Sequence, residues 1–536
     1  MTTVLYRGGR VHSPVSPDAQ AMLVDGDTVA WVGSDAAADA MSGHGSVDLG
    51  GALVTPAFVD AHVHCLDTGL HLLGVDLTTA GSIIEVLDLV AAAAAARPGA
   101  TVLGHGWDEA SLAEGRPPSA DDLQRAAPGA RVYLSRVDVH SAVVSWALAE
   151  GASLSGRHGW HGDGLVSGDA HHAARAASRT LSPASRREAH EMALRAAAAA
   201  GIGYLHEMSG PDLVGPDDLA PLLDAATAVG MKVTPYWGQL AGVDVSAALD
   251  ASGAGASVAG LAGDLCVDGS FGSRTAALRE PYADDPGCGR LYLSAQQVGE
   301  HVAACGRAGV PAGFHVIGDA GLDTIIEGLE RVRAEAGAAT VRRARVRLEH
   351  VEACDDDQLA ALVRHGVGAS VQPAFDAAWG GPQGMYARRL GERAAALNRF
   401  AAMASAGLPL AFGSDSPVTP FDPWGAIAAA TGHHEPAQRI SARAAFAAHT
   451  RGAHRMARED PTGTAGVLTP GAPASFAVWQ AGELVVWAPD ERLQAWSTDP
   501  RSGTAALPDV STGGPRPRCL RTVVAGIVAF DSGHLP

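Results

Sequence analysis

The sequence predicts an α/β protein: a TIM-type (β/α)8 barrel, a composite β-sandwich domain from both termini, and an insertion after the first barrel strand. Three observations predict it. The middle of the chain alternates short apolar, β-branched segments with alanine-rich helical stretches, the pattern of βα repeats around a parallel sheet. Both ends carry short β segments punctuated by glycine or Asp-Gly turns. Eight candidate strands can be counted, the number that closes a barrel.

In chain order those strands are 53–64, 203–208, 232–237, 264–269, 312–317, 346–351, 368–372 and 410–414. Roughly 140 residues separate the first two, far more than a βα connection needs. An inserted subdomain at about residues 66–190 fills the gap, overhangs the barrel mouth, and carries its own strands in TVLGHGWDEA and ARVYLSRVDVH. The opening segments TVLYRGGRVHS and AMLVDGDTVAWVGS match the texture of the closing GTAGVLTPGAPASFAVWQ and LRTVVAGIVAFDSG. Residues 1–51 with 464–536 are therefore assigned to the composite domain, and 52–463 to the barrel.

The bulk numbers bound the function. With 47% hydrophobic and 18% charged residues over 536 positions, the chain has a large buried core and is not disordered. A formal charge of −19 argues against nucleic acid and against anionic membrane surfaces. No apolar run of about 18 residues is present to span a bilayer. Arg7 and Arg10 sit where a signal peptide would be apolar. The six cysteines are scattered without a CxxC pair, which suits a reducing cytosol, so a cytoplasmic location is expected. Lys232 is the only lysine.

The chemistry is carried by His and Asp at strand ends. His62 and His64 in FVDAHVH are two residues apart, so on a strand both rings face one side and can grip one metal. His315 in AGFHVIGD, His350 in VRLEHVE and Asp415 in LAFGSDSPV fall at equivalent ends of later strands. A single buried histidine is more often a core residue. Four histidines and an aspartate at the same end of successive βα units point to a metal centre at the face where TIM barrels place their chemistry. Imidazole and carboxylate ligands suit Zn2+, with Mn2+ or Fe2+ as alternatives.

The order of these residues resembles the amidohydrolase superfamily. The segments GGALVTPAFVDAHVH, GHGWDEA, VDGSFGSRTAALREPYAD, FHVIGD, RLEHVE, SVQP and FGSDSPV resemble its amidohydrolase-3, YtcJ-like branch, which includes N-substituted formamide deformylases. The resemblance spans roughly residues 50–425. It implies a hydrolase of non-peptide C–N bonds that uses a metal-activated water. Asp415 would move the proton from that water to the departing amine. His350 would stabilise the oxyanion or ligate a second metal. A cyclic amide hydrolase or ring deaminase on the same frame is an alternative, as is a non-catalytic binding or regulatory protein.

One departure stands out. Many members of this branch carry, before the DGS motif, a lysine whose carbamylated side chain bridges two metals; this chain has Asp264 there. Lys232 starts a strand and would lie at the far end of the barrel. The choice is between Asp264 as a short bridge between two ions and a single ion held by His62, His64, His315 and Asp415, with the single ion favoured. Further candidates line the substrate side: Arg274 as a carboxylate or carbonyl clamp, then Trp107, Asp108, His140, His206, Asp268 and Gln372. A small-molecule substrate is the expected partner, and a homodimer is compatible with the sequence.

Overall fold

The structure, a computed structural model, describes every residue except 1–2, 42–44, 137–140, 212, 243, 458–461, 488–495, 498–504, 511–514 and 536. It is a mixed α/β protein whose chain forms two compact units, Met1–His64 with Leu194–Pro536, and Cys65–Ala193.

In the larger unit the two chain ends share a sheet. Its strand order is Arg10–Val11, Leu53–Pro56, Phe476–Gln480, Arg518–Val524 and Ile527–Asp531. A second sheet runs Thr28–Gly33, Ala21–Asp25, Thr3–Arg7 and Gly45–Asp48. The hairpin between Ala21–Asp25 and Thr28–Gly33 turns on Gly26 and Asp27, with Gly26 at φ 60°, a conformation that most side chains resist. Tyr6, Met22, Val54, Phe476 and Leu520 belong to one buried cluster drawn from both sheets.

The same unit holds two parallel sheets. One orders Lys232–Trp237, Ile202–Ser209 and Phe58–Val63; the other orders Gly313–Val316, Arg347–His350, Gly368–Val371 and Leu410–Phe412. Isolated parallel bridges pair Val63 with Ser416, Tyr236 with Gly260, Leu261 with Ala312 and Cys266 with His315. Helices between the strands start and stop on local signals. Ser294 and Gln297 form a capping box at Ala295–Ala308, as Asp355 and Gln358 do at Asp356–His365, and left-handed Gly309 and Gly366 end both helices.

Two expected strands differ. The 53–64 segment breaks at Ala57: Leu53–Pro56 pairs antiparallel with Phe476–Gln480, whereas Phe58–Val63 pairs with Ile202–Ser209. Pro56 has no N–H to continue a ladder, and the amides of Ala57 and Phe58 reach different acceptors, Ser475 O and Gly201 O. Residues 264–269 form no regular strand. They touch Gly313–Val316 through the Cys266 bridge, and the carboxylate of Asp268 turns onto loop amides.

The smaller unit holds a five-stranded sheet ordered Leu165–Ser167, Ser141–Val144, Val132–Arg136, Val102–Trp107 and Val75–Asp76. Ile83, Val86 and Val90 recur along one face of the helix Ile83–Ala96 and pack with Trp107, Leu123 and Val132. Among the described residues no helix is long and apolar enough to cross a membrane.

Trp479 locks the end-sharing sheet to the first parallel strand. Its ring meets those of Phe58 and Trp424 edge-on at 5.7 and 5.5 Å, and its indole N–H donates to Thr55 Oγ1 at 2.9 Å. Gly201 is required opposite it, since a Cβ there would lie 2.2 Å from the ring. Trp479→Ala should destabilise the chain by about 3–5 kcal/mol, read from the midpoint of urea unfolding; a loss below about 1 kcal/mol would remove this residue from the anchor role.

Candidate metal centre

The Phe58–Val63 strand and its first following residue place His62 and His64 two apart on one side. The segment after Leu410–Phe412 is held against them, because Asp415 N donates to His62 O at 2.8 Å and His64 N donates to Ser416 O at 3.0 Å. His315 comes from Gly313–Val316, and His350 ends Arg347–His350. His350, Val351 and Asp415 all have positive φ, 71°, 49° and 56°. For non-glycine residues, a β-branched one included, this is strain of the kind that gathers at functional sites.

Each of the four rings spends its N–H outward. His62 Nδ1 donates to Glu349 Oε2 at 3.0 Å, and His64 Nδ1 donates to Met208 O at 3.0 Å. His350 Nδ1 donates to Gln372 Oε1 at 2.8 Å, and His315 Nε2 donates to Gly269 O at 3.2 Å. In the neutral rings the remaining nitrogens carry inward lone pairs, and those of three rings meet carboxylates. His62 Nε2 lies 3.5 Å from Asp264 Oδ1 and 3.4 Å from Asp415 Oδ1. His64 Nε2 lies 3.3 Å from Asp264 Oδ2 and 3.2 Å from Asp415 Oδ1, and His315 Nδ1 lies 3.7 Å from Asp264 Oδ1. His62–His64–Asp415 and His62–Asp264–His350 each form a triplet able to hold a metal ion.

Lone pair facing lone pair is repulsive, and here the groups are out of reach of water. His62 Nε2, Asp264 Oδ1 and His315 Nδ1 are buried with no hydrogen-bond partner. A divalent cation satisfies all of them at once, so the donor set fits a metal.

The electrostatics agree. Burial pushes the His62 imidazole down, but the Asp415 and Asp264 carboxylates raise it to about 10. His64 is raised well above its ordinary value, and His315 to about 9, against the same burial and through the same kind of carboxylate contact. Asp264 and Asp415 are held below the usual carboxylate range: burial opposes this, and the histidines outweigh it. His350 goes the other way, down to about 4, through burial and then the neighbouring His315 and His62. The pocket calls for positive charge, which a metal supplies.

Other expected site residues lie elsewhere in the chemistry. Gln372 orients His350. Buried His206, on Ile202–Ser209, accepts from Arg347 at 3.0 Å through Nδ1. Asp268, expected to bind substrate, accepts from the amides of Ala277, Ile317 and Gly318 at 2.7–2.9 Å, so it clamps two loops. Arg274, expected as a clamp, forks onto Asp284 at 3.0 and 2.9 Å in a part-exposed ion pair. Trp107 is a core residue of the smaller unit, buried to 1% exposure, with its indole N–H on Leu134 O. Asp108 pairs with Arg136 at 3.2 Å. His140 lies outside the described residues. Lys232 is exposed at its strand start.

Sequence reasoning missed Arg347, Glu349, Asp60 and Glu352. Asp60 Oδ1 accepts from the amides of His62 and Ser414. Glu352 accepts from the Tyr386 hydroxyl, and burial raises it to about 7. The signal was available in RLEH, where Arg347 and Glu349 share strand parity inside an apolar segment.

Fold and centre together define a metal-dependent hydrolase. The sequence model of the amidohydrolase family (Amidohydro_3) matches residues 46–530, and the chain belongs to that family. Protein LONG AFTER FAR-RED 3 of Arabidopsis thaliana is 27% identical over 86% of this chain and 84% of its own. The YtcJ amidohydrolase of Bacillus subtilis (strain 168) is 25% identical over 70% and 73%. The N-substituted formamide deformylase of Arthrobacter pascens is 25% identical over 83% and 88%. Among solved structures, a metal-dependent hydrolase of Pyrococcus furiosus superposes with a TM-score of 0.73 at 25% identity, over 89% of this chain and 98% of that one.

Asp268→Ala would leave three buried amides without an acceptor. It should lower stability by about 3 kcal/mol or more, measured by urea unfolding; near-normal stability with a raised KM would return Asp268 to substrate binding.

Proposed function

We propose that the chain is a zinc-dependent hydrolase that cleaves the C–N bond of an N-substituted amide or formamide. The observation that carries this is the set of four inward ring nitrogens and two carboxylates, with every imidazole N–H spent on an outward acceptor. Nitrogen and oxygen ligands of this kind suit zinc. The likeness to an N-substituted formamide deformylase supports the bond class. The frame we infer is a (β/α)8 barrel of residues 52–463, supported by the seven parallel strands and the bridges that pair their margins. Residues 1–51 with 464–536 form its accessory β-sandwich, and about 66–190 its insertion. All six cysteines are free, which supports a reducing, cytoplasmic setting.

His62, His64, Asp264 and Asp415 would hold the ion, with His315 and His350 facing it from the adjoining strands. When bound, the ion acidifies a water and polarises the scissile carbonyl. Asp415 supplies the proton path: its carboxylate accepts the proton of the attacking water and returns it to the amine nitrogen as the C–N bond breaks. The histidines hold Asp415 anionic, so the carboxylate is in the form that this role requires. His350 Nδ1 lies 2.8 Å from Gln372 Oε1, and with its proton there the ring offers Nε2 to the ion. Asp60, bonded to the amides of His62 and Ser414, keeps the first and last parallel strands in register.

The test is metal content per chain by elemental analysis, followed by turnover of N-alkyl and N-aryl formamides beside cyclic amides and ring amidines. Zinc in the wild type, with N-substituted formamides turned over at least tenfold faster than the ring substrates, is the expected result. Asp415→Ala should lower kcat by about 10²-fold or more. Near-normal turnover in that variant removes its role; preference for the rings replaces the substrate class; no metal uptake removes the hydrolase reading.

A further inference from the structure

We propose that Arg347 and Glu349 are positioning residues that fix the tautomer and ring plane of His62 from inside the parallel sheets. The inference rests on the centre being a metal site. Both residues lie on Arg347–His350, two apart, and are 2% and 0% exposed. A buried guanidinium is costly unless its N–H groups are matched. Here they are matched across the sheets. Nε and one terminal nitrogen fork onto Glu349 at 2.6 and 3.1 Å. That terminal nitrogen also donates to Ala61 O, and the other donates to His206 Nδ1 at 3.0 Å. The guanidinium carbon lies 4.6 Å from the centroid of the Tyr236 ring. One side chain thus binds Phe58–Val63, Ile202–Ser209 and Lys232–Trp237 to its own strand.

Glu349 carries this fixed frame to the metal centre. With both oxygens set by Arg347, its Oε2 accepts from His62 Nδ1. An imidazole whose Nδ1 is protonated can ligate only through Nε2, and turning the ring would break the bond to Glu349. Arg347 also grips Ala61, the residue next to His62, so backbone and ring of this ligand are held by the same pair.

A strand-tying ion pair and a ligand-positioning pair are separable. Apolar residues of similar volume often replace a buried ion pair with little loss of stability. Arg347→Met/Glu349→Leu removes the ion pair and the acceptor. Arg347→Met/Glu349→Gln removes the ion pair but keeps an amide oxygen for His62. Zinc dissociation constants are read by chelator competition, and the absorption spectrum of the cobalt-loaded chains reports ligand geometry.

The Leu variant should bind zinc about 10–100-fold more weakly, with an altered cobalt spectrum, and the Gln variant should recover most of that loss. Equal zinc affinity in both variants, whether near the wild type or equally weak, overturns the proposal. Should either variant fail to fold, nitrogen-15 NMR of the zinc-loaded wild type, labelled at histidine, decides. His62 must carry its proton on Nδ1 and its metal on Nε2, and the reverse overturns the proposal. A wild type that takes up no zinc fails the function reading itself, a result that the variants cannot mimic.

Discussion

Several buried lone pairs are forced to face one another, and much of the larger unit is arranged to keep them there. His62, His64, His315 and His350 could each relieve the crowding by turning an N–H inward. Each is prevented by an acceptor on its outer side: a carboxylate, two backbone carbonyls and a side-chain amide. These acceptors come from strands 202–209 and 347–350 and from the segments around residues 269 and 372. With the rings held this way, the two carboxylates draw positive charge into the pocket, either as protons on the imidazoles or as a bound cation.

The centre also depends on how the first apolar segment is divided. Leu53–Pro56 belongs to the sheet made by both chain ends, and Phe58–Val63 to a parallel sheet. A change of partner within three residues means that the C-terminal strand Phe476–Gln480, with Trp479 against Phe58, is packed directly behind the strand that carries the HxH pair. The terminal sheets are therefore part of the support of the site, although they contribute none of its ligands. The positive φ angles of His350, Val351 and Asp415 fit the same logic. His350 has the opposite strand parity to Glu349, yet both approach His62, and the left-handed turn at the end of the strand brings the second ring around.

The candidate ligands were legible because a strand pattern exposes them. His62 and His64 alternate correctly, and His315, His350 and Asp415 close short apolar segments, so local sequence carried both face and end. Of the supporting residues, the shared parity in RLEH was legible, but their roles were not, because these depend on partners far away. Arg347 reaches Ala61 across 286 positions and His206 across 141. A charged residue inside an apolar segment gives no local sign of which distant carboxylate or carbonyl will match it. Three further expected residues share a feature as well. Trp107, Asp268 and Arg274 lie in segments rich in motif residues, and each has partners nearby: a packed core, three loop amides and an exposed carboxylate. The alternation in Asp264–Gly269 suggested a strand, and three loop amides drew Asp268 away from that course.

Asp264 stands where the resemblance to the amidohydrolase-3 branch implies a longer side chain. Reach was the difficulty: a carboxyl one carbon from the backbone had to meet groups that a modified lysine would approach from farther back. The geometry removes it. Oδ1 lies 3.5 Å from His62 and 3.7 Å from His315, and Oδ2 lies 3.3 Å from His64, so one carboxylate touches three of the four rings. It does so because residues 264–269 do not follow a regular strand. Leu261 and Cys266 form isolated bridges with Ala312 and His315 on either side of Asp264. The charge arrives already formed, since a carboxylate needs no reaction to become anionic.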